Sequence, residues 1–381
     1  MIDRIDKEHC CGCLACKSIC PQKAIGIYTD EKGFQYPTIN NKLCIKCGLC
    51  EKVCDFISDK LNETEPDCYS VCASDNEEVI SSRSGGFFSI LAKYVIKKNG
   101  VVFGCELANK NEISHTYYGN IKDVNKFKGS KYVQSDLKNT YEECLDLLNN
   151  GKIVLFSGTA CQVQGLISFL KLKNVDTTNL ITCDLICHGT PSAKIWQEYL
   201  KEFERKNNFY INDVIFRNKK DFTWKDCITT FIDETGNKIS TSSWFDMYYD
   251  HVLFRESCFN CKYSTIYRNS DFTIGDCWGV EKTDFKSMNI NGTSLVIVRS
   301  DVGKRIFKEL GEEIKSLRVN KDKIMQPSLM HPVNKGSRYD KFWKDFSINS
   351  NKCIDKYFFP SKRVLLMKRI KMKVRNVIFK K

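Results

Sequence analysis

Four apolar runs of strand length punctuate the middle of the chain, at residues 101–104, 152–156, 180–186 and 295–298. Between and around them, apolar residues recur at helical spacing over 87–97, 162–170, 193–203 and 303–310. Strands alternating with helices of this length predict an α/β core with parallel strands. The first sixty residues read differently. Short runs at 24–28 and 34–37 predict a hairpin that turns near 30–33, followed by an acidic, Pro-containing linker near 62–67. At the other end, Leu366, Ile370, Val374, Val377 and Ile378 fall at helical spacing with Lys368, Arg369, Lys371, Lys373 and Arg375 between them.

Composition changes that picture little. The 381 residues are 42% apolar and 28% charged, ordinary for a globular chain and unlike a disordered one. No apolar run approaches the roughly 18 residues that span a bilayer. The first 20 residues hold Asp3, Asp6, Glu8 and five cysteines, which is not a secretory signal, so a cytoplasmic protein is expected. The net charge of +13 is concentrated: nine Lys or Arg and no acid lie from Lys362 onward, which leaves +4 for the rest. The basic stretch 361–381 reads as an amphipathic helix, either packed on its own domain or touching an anionic membrane peripherally. No nucleic-acid motif accompanies it, and no nucleic-acid partner is expected.

Twenty-one cysteines are the dominant chemical signal. In a reducing compartment they serve as metal ligands or catalytic groups more often than as disulfides. Cys10, Cys13, Cys16 and Cys20, followed by Pro21, spell C-x2-C-x2-C-x3-C-P, and Cys44, Cys47, Cys50 and Cys54 repeat it with Asp55 in place of the proline. This is the bacterial ferredoxin pattern, in which three thiolates wrap one 4Fe-4S cubane and the fourth ligates the other. One cluster is assigned to Cys10, Cys13, Cys16 and Cys54, the second to Cys44, Cys47, Cys50 and Cys20. Zinc sites favour separated C-x2-C pairs over a symmetric repeat of triples. Cys11 reads as a bystander beside a ligand.

Further along, two predicted strands end alike, running into Ser157-Gly158-Thr159-Ala160-Cys161-Gln162 and Cys187-His188-Gly189-Thr190-Pro191-Ser192. Each puts a cysteine past the carboxyl end of a strand, where ligands gather in open α/β sheets. With Cys258, Cys261 and Cys277, five thiols are candidates for a four-thiolate site. The scattered Cys68, Cys72, Cys105, Cys144, Cys183, Cys227 and Cys353 read as small buried hydrophobes. A Cys161 nucleophile with His188 as its base is the rival reading, but a hydrolase has no use for an attached ferredoxin. Ser81–Gly86 is a glycine and hydroxyl loop ahead of a helix, suited to an anion.

Ser84-Gly85-Gly86, Ser130-Lys131-Tyr132-Val133-Gln134-Ser135, the Ser157–Gln162 turn, Asp184 with Cys187-His188-Gly189, Phe216-Arg217, Cys258-x2-Cys261 and Asp271 to Gly279 occur in that order. Together they resemble the coenzyme F420 hydrogenase/dehydrogenase beta subunit family, in the branch with an N-terminal ferredoxin, over about residues 1–300. The resemblance implies a bacterial ferredoxin-like domain at 1–60, a larger α/β domain at 68–350 that binds FAD and a third 4Fe-4S cluster, and the basic helix at 361–381. It implies Cys161, Cys187, Cys258 and Cys261 as ligands of the third cluster, since similar members usually carry an aromatic where Cys277 stands. Ser84, Gly85, Gly86, Lys131, Gln134 and Thr159 become candidate FAD contacts, with His115 a weaker one. Ala160 stands where a proline is usual.

Electron counting then gives the expected activity. Ferredoxin-type clusters carry single electrons, whereas a flavin collects two. The resemblance implies an oxidoreductase that passes electrons from a ferredoxin or another electron-transfer subunit, through three clusters and FAD, to a two-electron organic acceptor, in either direction. A deazaflavin acceptor fits the family name. The Lys-, Asn- and Ile-rich composition fits a low-GC genome, and similar members are often associated with surface polysaccharide biosynthesis. The alternative is a non-enzymatic electron-transfer subunit of a larger redox complex.

Overall fold

The computed structural model describes residues 2–58, 61, 64–282 and 291–360. The amphipathic stretch 361–381 and part of the linker lie outside the described residues.

Strands β1 (Ile25–Thr29) and β2 (Gln35–Ile39) form the N-terminal antiparallel hairpin. Along the chain follow β3 (Asp67–Ala73), β4 (Val101–Asn109), β5 (Glu112–Tyr118), β6 (Val154–Thr159) and β7 (Leu180–Leu185). Then come three short strands, β8 (Asp213–Ile215), β9 (Thr229–Ile232) and β10 (Lys238–Thr241), which make a small antiparallel sheet. β11 (Phe272–Asp276), β12 (Ser294–Val298) and β13 (Ile314–Arg318) complete the set. The main sheet has eight strands in the order β13-β3-β12-β11-β7-β6-β4-β5. Its centre is parallel, β11 with β7, β7 with β6 and β6 with β4, while both flanks are antiparallel.

The alternation in the sequence is therefore a mixed α/β sheet. Its central strands are continuous apolar runs because both faces are covered: Val154, Leu155 and Phe156 are fully buried. The helix after β6 begins at Ala160 and runs to Leu172, with Thr159 and Gln162 forming a reciprocal N-terminal cap. The helix Ala193–Asn207 starts at Ser192, whose hydroxyl accepts from the Ile195 amide. Strand β3 is not apparent as a strand in the apolar pattern. It alternates cysteine and serine with larger residues and is defined by its antiparallel partners on either side.

One polar residue sits in the middle of this core. Asp184 on β7 is fully buried, and it is answered by Arg268 at 2.8 Å, Ser270 at 2.8 Å and Thr273 at 2.5 Å. A buried carboxylate holds only with such a complete set of partners. The aspartate of the Asp184–Cys187 motif thus fixes the loop 265–270 against β7.

The N-terminal module does not stand apart. Leu14, Ala15, Ile19 and Val53 share a hydrophobic cluster with Phe156, Val163, Leu166 and Phe169. Phe34 and Tyr36 of the hairpin belong to another, with Trp196, Tyr199, Phe254 and Trp343. A module of this size buries too little on its own.

Candidate functional site

The two N-terminal cysteine runs fold alike. Gly12 and Lys46, each just before the second cysteine of its run, have φ of 70° and 56°, and Leu14 and Gly48, each just after it, have 62° and 75°. These left-handed turns coil each loop into a short helix, Ala15–Ile19 and Leu49–Lys52, which carries the third cysteine. Cys10, Cys13, Cys16 and Cys54 surround one void, and Cys20, Cys44, Cys47 and Cys50 line another. The fourth cysteine of each run has crossed to the other group, as the ferredoxin pattern requires. Burial pushes the Cys16 thiol up, with Cys10 and Cys54 adding to it. Asp55, standing where the first run has proline, begins the helix Asp55–Ser58. Its carboxylate takes a hydrogen bond from Tyr263 and pairs with Lys262 at 2.5 Å, so this departure from the repeat ties the module to the Cys258–Cys261 loop.

Arg255 pins the same junction from the other side. It is fully buried, with Nε donating to the Cys10 carbonyl at 2.5 Å and Nη2 to the Gln35 carbonyl at 2.6 Å. Its Nη2 also lies 3.5 Å from Cys10 Sγ, and its guanidinium sits 4.2 Å from the Tyr36 ring centre. Nothing in the local sequence marks this arginine. Cys11, which stands beside a ligand, bridges to the larger domain: its thiol is hydrogen-bonded to both Cys13 and Cys161, and its carbonyl accepts from Gln134 Nε2 at 3.2 Å.

Cys161 opens the helix Ala160–Leu172, Cys187 follows β7, and Cys258 and Cys261 flank the 3-10 turn Glu256–Asn260. The four thiols lie near enough to act on one another's charge. Burial raises the Cys187 thiol well above its ordinary value, and Cys258, Cys161 and Cys261 each push it further. Burial likewise pushes Cys258 up to about 12, with Cys261 and Cys161 contributing. For Cys161 the largest upward influence is its hydrogen bond to Cys11, then burial. Cys277 lies elsewhere: it is fully buried in the sheet core, 3.3 Å from Ser70 Oγ. Among the described residues no three His, Cys, Asp or Glu converge as they would on a single metal ion. A four-iron cluster holds its thiolates around a larger body.

A cavity of about 580 Å³ opens past the carboxyl ends of the parallel strands. Cys11, Cys161 and Cys187 form part of its wall, and Ser84, Gly86, Lys131, Gln134, Thr159 and His115 line it too. Gly85 does not: a Cβ there would stand 2.2 Å from the Val71 carbonyl oxygen and 2.6 Å from the Ser294 nitrogen. That glycine is required by the close pass of the loop over β3 and β12. Lys131 Nζ donates to the carbonyls of Lys126 and Lys128 at 2.8 and 3.1 Å, and burial lowers its pKa to about 8. Both nitrogens of His115 are engaged, with the Ser157 carbonyl at 3.0 Å and the Ser135 hydroxyl at 2.8 Å, and burial lowers it to about 4. It is a neutral ring that props the wall. Cys105 and Cys227 are only half-buried, and Cys105 lines the cavity.

The nucleophile reading fails on geometry. His188 makes its contacts with Ser328 at 3.1 Å and His251 at 2.8 Å, whereas Cys161 contacts Cys11 and, at 3.2 Å, Thr159.

Residues 151–322 match the family defined by the C terminus of the coenzyme F420 hydrogenase/dehydrogenase beta subunit. That is the family to which the motifs point. Residues 9–56 match the 4Fe-4S dicluster domain. The protein is thus an iron-sulfur electron-transfer protein related to hydrogenase and dehydrogenase beta subunits. Among solved structures, a chain of the F420-reducing NiFe hydrogenase complex from Methanosarcina barkeri is similar, at 17% identity and a TM-score of 0.49 over 78% of this chain and 93% of that one. No curated protein matches. No helix among the described residues is long and apolar enough to cross a membrane.

Proposed function

We propose that this protein is an iron-sulfur flavoprotein oxidoreductase. It takes single electrons from a redox partner, such as a ferredoxin or another electron-transfer subunit, at its N-terminal module. It delivers them in pairs to an organic acceptor in the large cavity, and the direction is reversible. One observation carries this reading: Cys11 and Cys161 border both the void among Cys10, Cys13, Cys16 and Cys54 and the 580 Å³ cavity. The electron-transfer module and the cavity therefore share a wall of thiols.

The residues fit the groups that the reading requires. Cys161, Cys187, Cys258 and Cys261 would hold a third cluster beside the cavity. The cavity has the volume of a cofactor or ligand site, with apolar walls and a few placed polar groups. Ser84, Gly86, Lys131, Gln134 and Thr159 lie where they would meet FAD, and the orphaned nitrogens of buried Arg83 on the same wall call for an anionic partner. Bound FAD would supply the exchange between one-electron and two-electron chemistry. Arg255 holds the module at the junction, its positive charge set between Cys10 and Cys258. The buried rings of Tyr248 and Phe254 pack over Gly189, next to Cys187, and keep water from that side.

Rapid mixing of the anaerobic protein with a reduced viologen tests the reading. Flavin absorbance should bleach in the wild type. In Cys161→Ser, bleaching should slow by about tenfold or more while the N-terminal clusters reduce at the wild-type rate, a barrier increase of about 1.4 kcal/mol. Equal bleaching in both proteins would contradict a route past Cys161.

A further inference from the structure

At the β11 end of the cavity, where Asp276 stands, the wall carries two arginines. Arg83 and Arg217 converge on one carboxylate, with Arg83 Nη2 3.1 Å and Arg217 Nη1 3.0 Å from the same oxygen, Oδ2 of Asp276. Both guanidinia also donate to the Trp224 carbonyl. Behind them Lys219 Nζ donates to the carbonyls of Val79 and Ser84 at 2.5 and 2.9 Å, and burial together with Arg83 lowers it to about 8. Two permanent cations thus face one anion.

The two arginines are not equivalent. Arg217 is satisfied: its Nη1 also reaches the Tyr132 hydroxyl at 3.0 Å, and its Nε donates to the Asp226 carbonyl at 3.3 Å. Arg83 is not. Its side chain is only 9% exposed, it lines the cavity, and its Nε and Nη1 are buried with no hydrogen-bond partner. Leaving a buried N–H unanswered is costly, the more so on a charged group, so this pair of nitrogens calls for a partner that meets them. Next to Arg83, the helix Phe87–Lys97 starts at Gly86 with no side-chain cap, and its first turn forms part of the same wall. That places the positive end of a helix beside the guanidinium. Trp278, stacked on Trp224 at 5.2 Å and 38% exposed, offers an aromatic face at this end.

We infer that Arg83, backed by Arg217, forms an oxyanion subsite of the cavity that takes a phosphate or carboxylate of the molecule bound there. This rests on reading the cavity as the place where flavin and acceptor meet. The anion has two sources, the diphosphate of the flavin or an anionic group on the acceptor. If it is the acceptor, its class follows: an organic molecule bearing a phosphate or carboxylate, with a flat ring or sugar that can lie on Trp278. Asp276 leaves the pair with one surplus positive charge, enough for a single such group.

Calorimetric titration of the full-length anaerobic protein with inorganic pyrophosphate, in wild type and Arg83→Gln, separates the outcomes. Binding to flavin-loaded wild type, weakened about tenfold or more in Arg83→Gln with unchanged flavin content, assigns the anion to the acceptor. Binding only after flavin is stripped, together with loss of FAD but not riboflavin by Arg83→Gln, assigns it to the flavin diphosphate. Arg83→Lys keeps the charge and its contact with Asp276, and should fall between the two should the glutamine variant fold poorly. Absence of pyrophosphate binding in loaded and stripped wild type, or equal binding by a folded Arg83→Gln, overturns the subsite. A wild type that holds no flavin defeats the cofactor reading alone, because pyrophosphate still reports on Arg83.

Discussion

Replacing Cys258 by serine is expected to remove about four irons per chain and to leave both N-terminal clusters spectroscopically intact. Cys258 lies within the electrostatic reach of Cys161, Cys187 and Cys261, with the Thr190 hydroxyl 3.8 Å from its sulfur. Two controls sharpen the result. Cys277→Ser, deep in the sheet core beside Ser70, should keep all its iron. Cys11→Ser should also keep it, even though that thiol touches Cys161. Loss of a cubane from Cys11→Ser, with none from Cys161→Ser, would move the fourth ligand to the N-terminal module. Unchanged iron in Cys258→Ser would reject the ligand set.

The second large effect is expected at Arg255. Arg255→Met fills a similar volume but leaves the carbonyls of Cys10 and Gln35 without their donor, and both are held at the junction. At about 1–3 kcal/mol for each unanswered carbonyl, the cost is roughly 2–6 kcal/mol. Thermal unfolding followed by circular dichroism should show it as a melting point several degrees lower. A second signature separates charge from packing. The guanidinium faces Cys10, Cys11 and Cys258, so its removal should shift the neighbouring clusters to more negative potential, because a cation favours the more negative reduced state. Arg255→Lys, which keeps the charge but not the fork, should lose stability while holding the potential closer to wild type. A melting point and potentials unchanged in Arg255→Met would show that the junction does not depend on this residue.

Much of the chemistry is legible in the sequence because it is local. Two runs of four cysteines at fixed spacing specify cubane ligands whatever surrounds them, and the parallel pair β6–β7 shows itself as two continuous apolar runs that each end in a cysteine turn. Contacts made over long range are not legible. Arg255 is a single arginine in an aromatic loop, and its partners lie more than two hundred residues away in the hairpin and the first cysteine run. Cys11 looks incidental in the sequence because Cys161, its neighbour in space, is in another domain. The glycine pair reads as one phosphate loop. Gly86, at φ 88°, does line the cavity, whereas Gly85 serves the close approach of two strands that no local pattern reveals. Nor does the hairpin's short apolar pattern show what it packs against. Phe34 and Tyr36 complete a core built mostly from residues 195–358.

In the proposed function one chain carries three cubanes and a flavin. Iron, acid-labile sulfide and extracted flavin, measured per chain on protein purified without oxygen, test it most directly. About 12 iron, an equal amount of sulfide and about one FAD are expected. About 8 iron with no flavin would leave a ferredoxin module attached to a domain of other chemistry, and would contradict it.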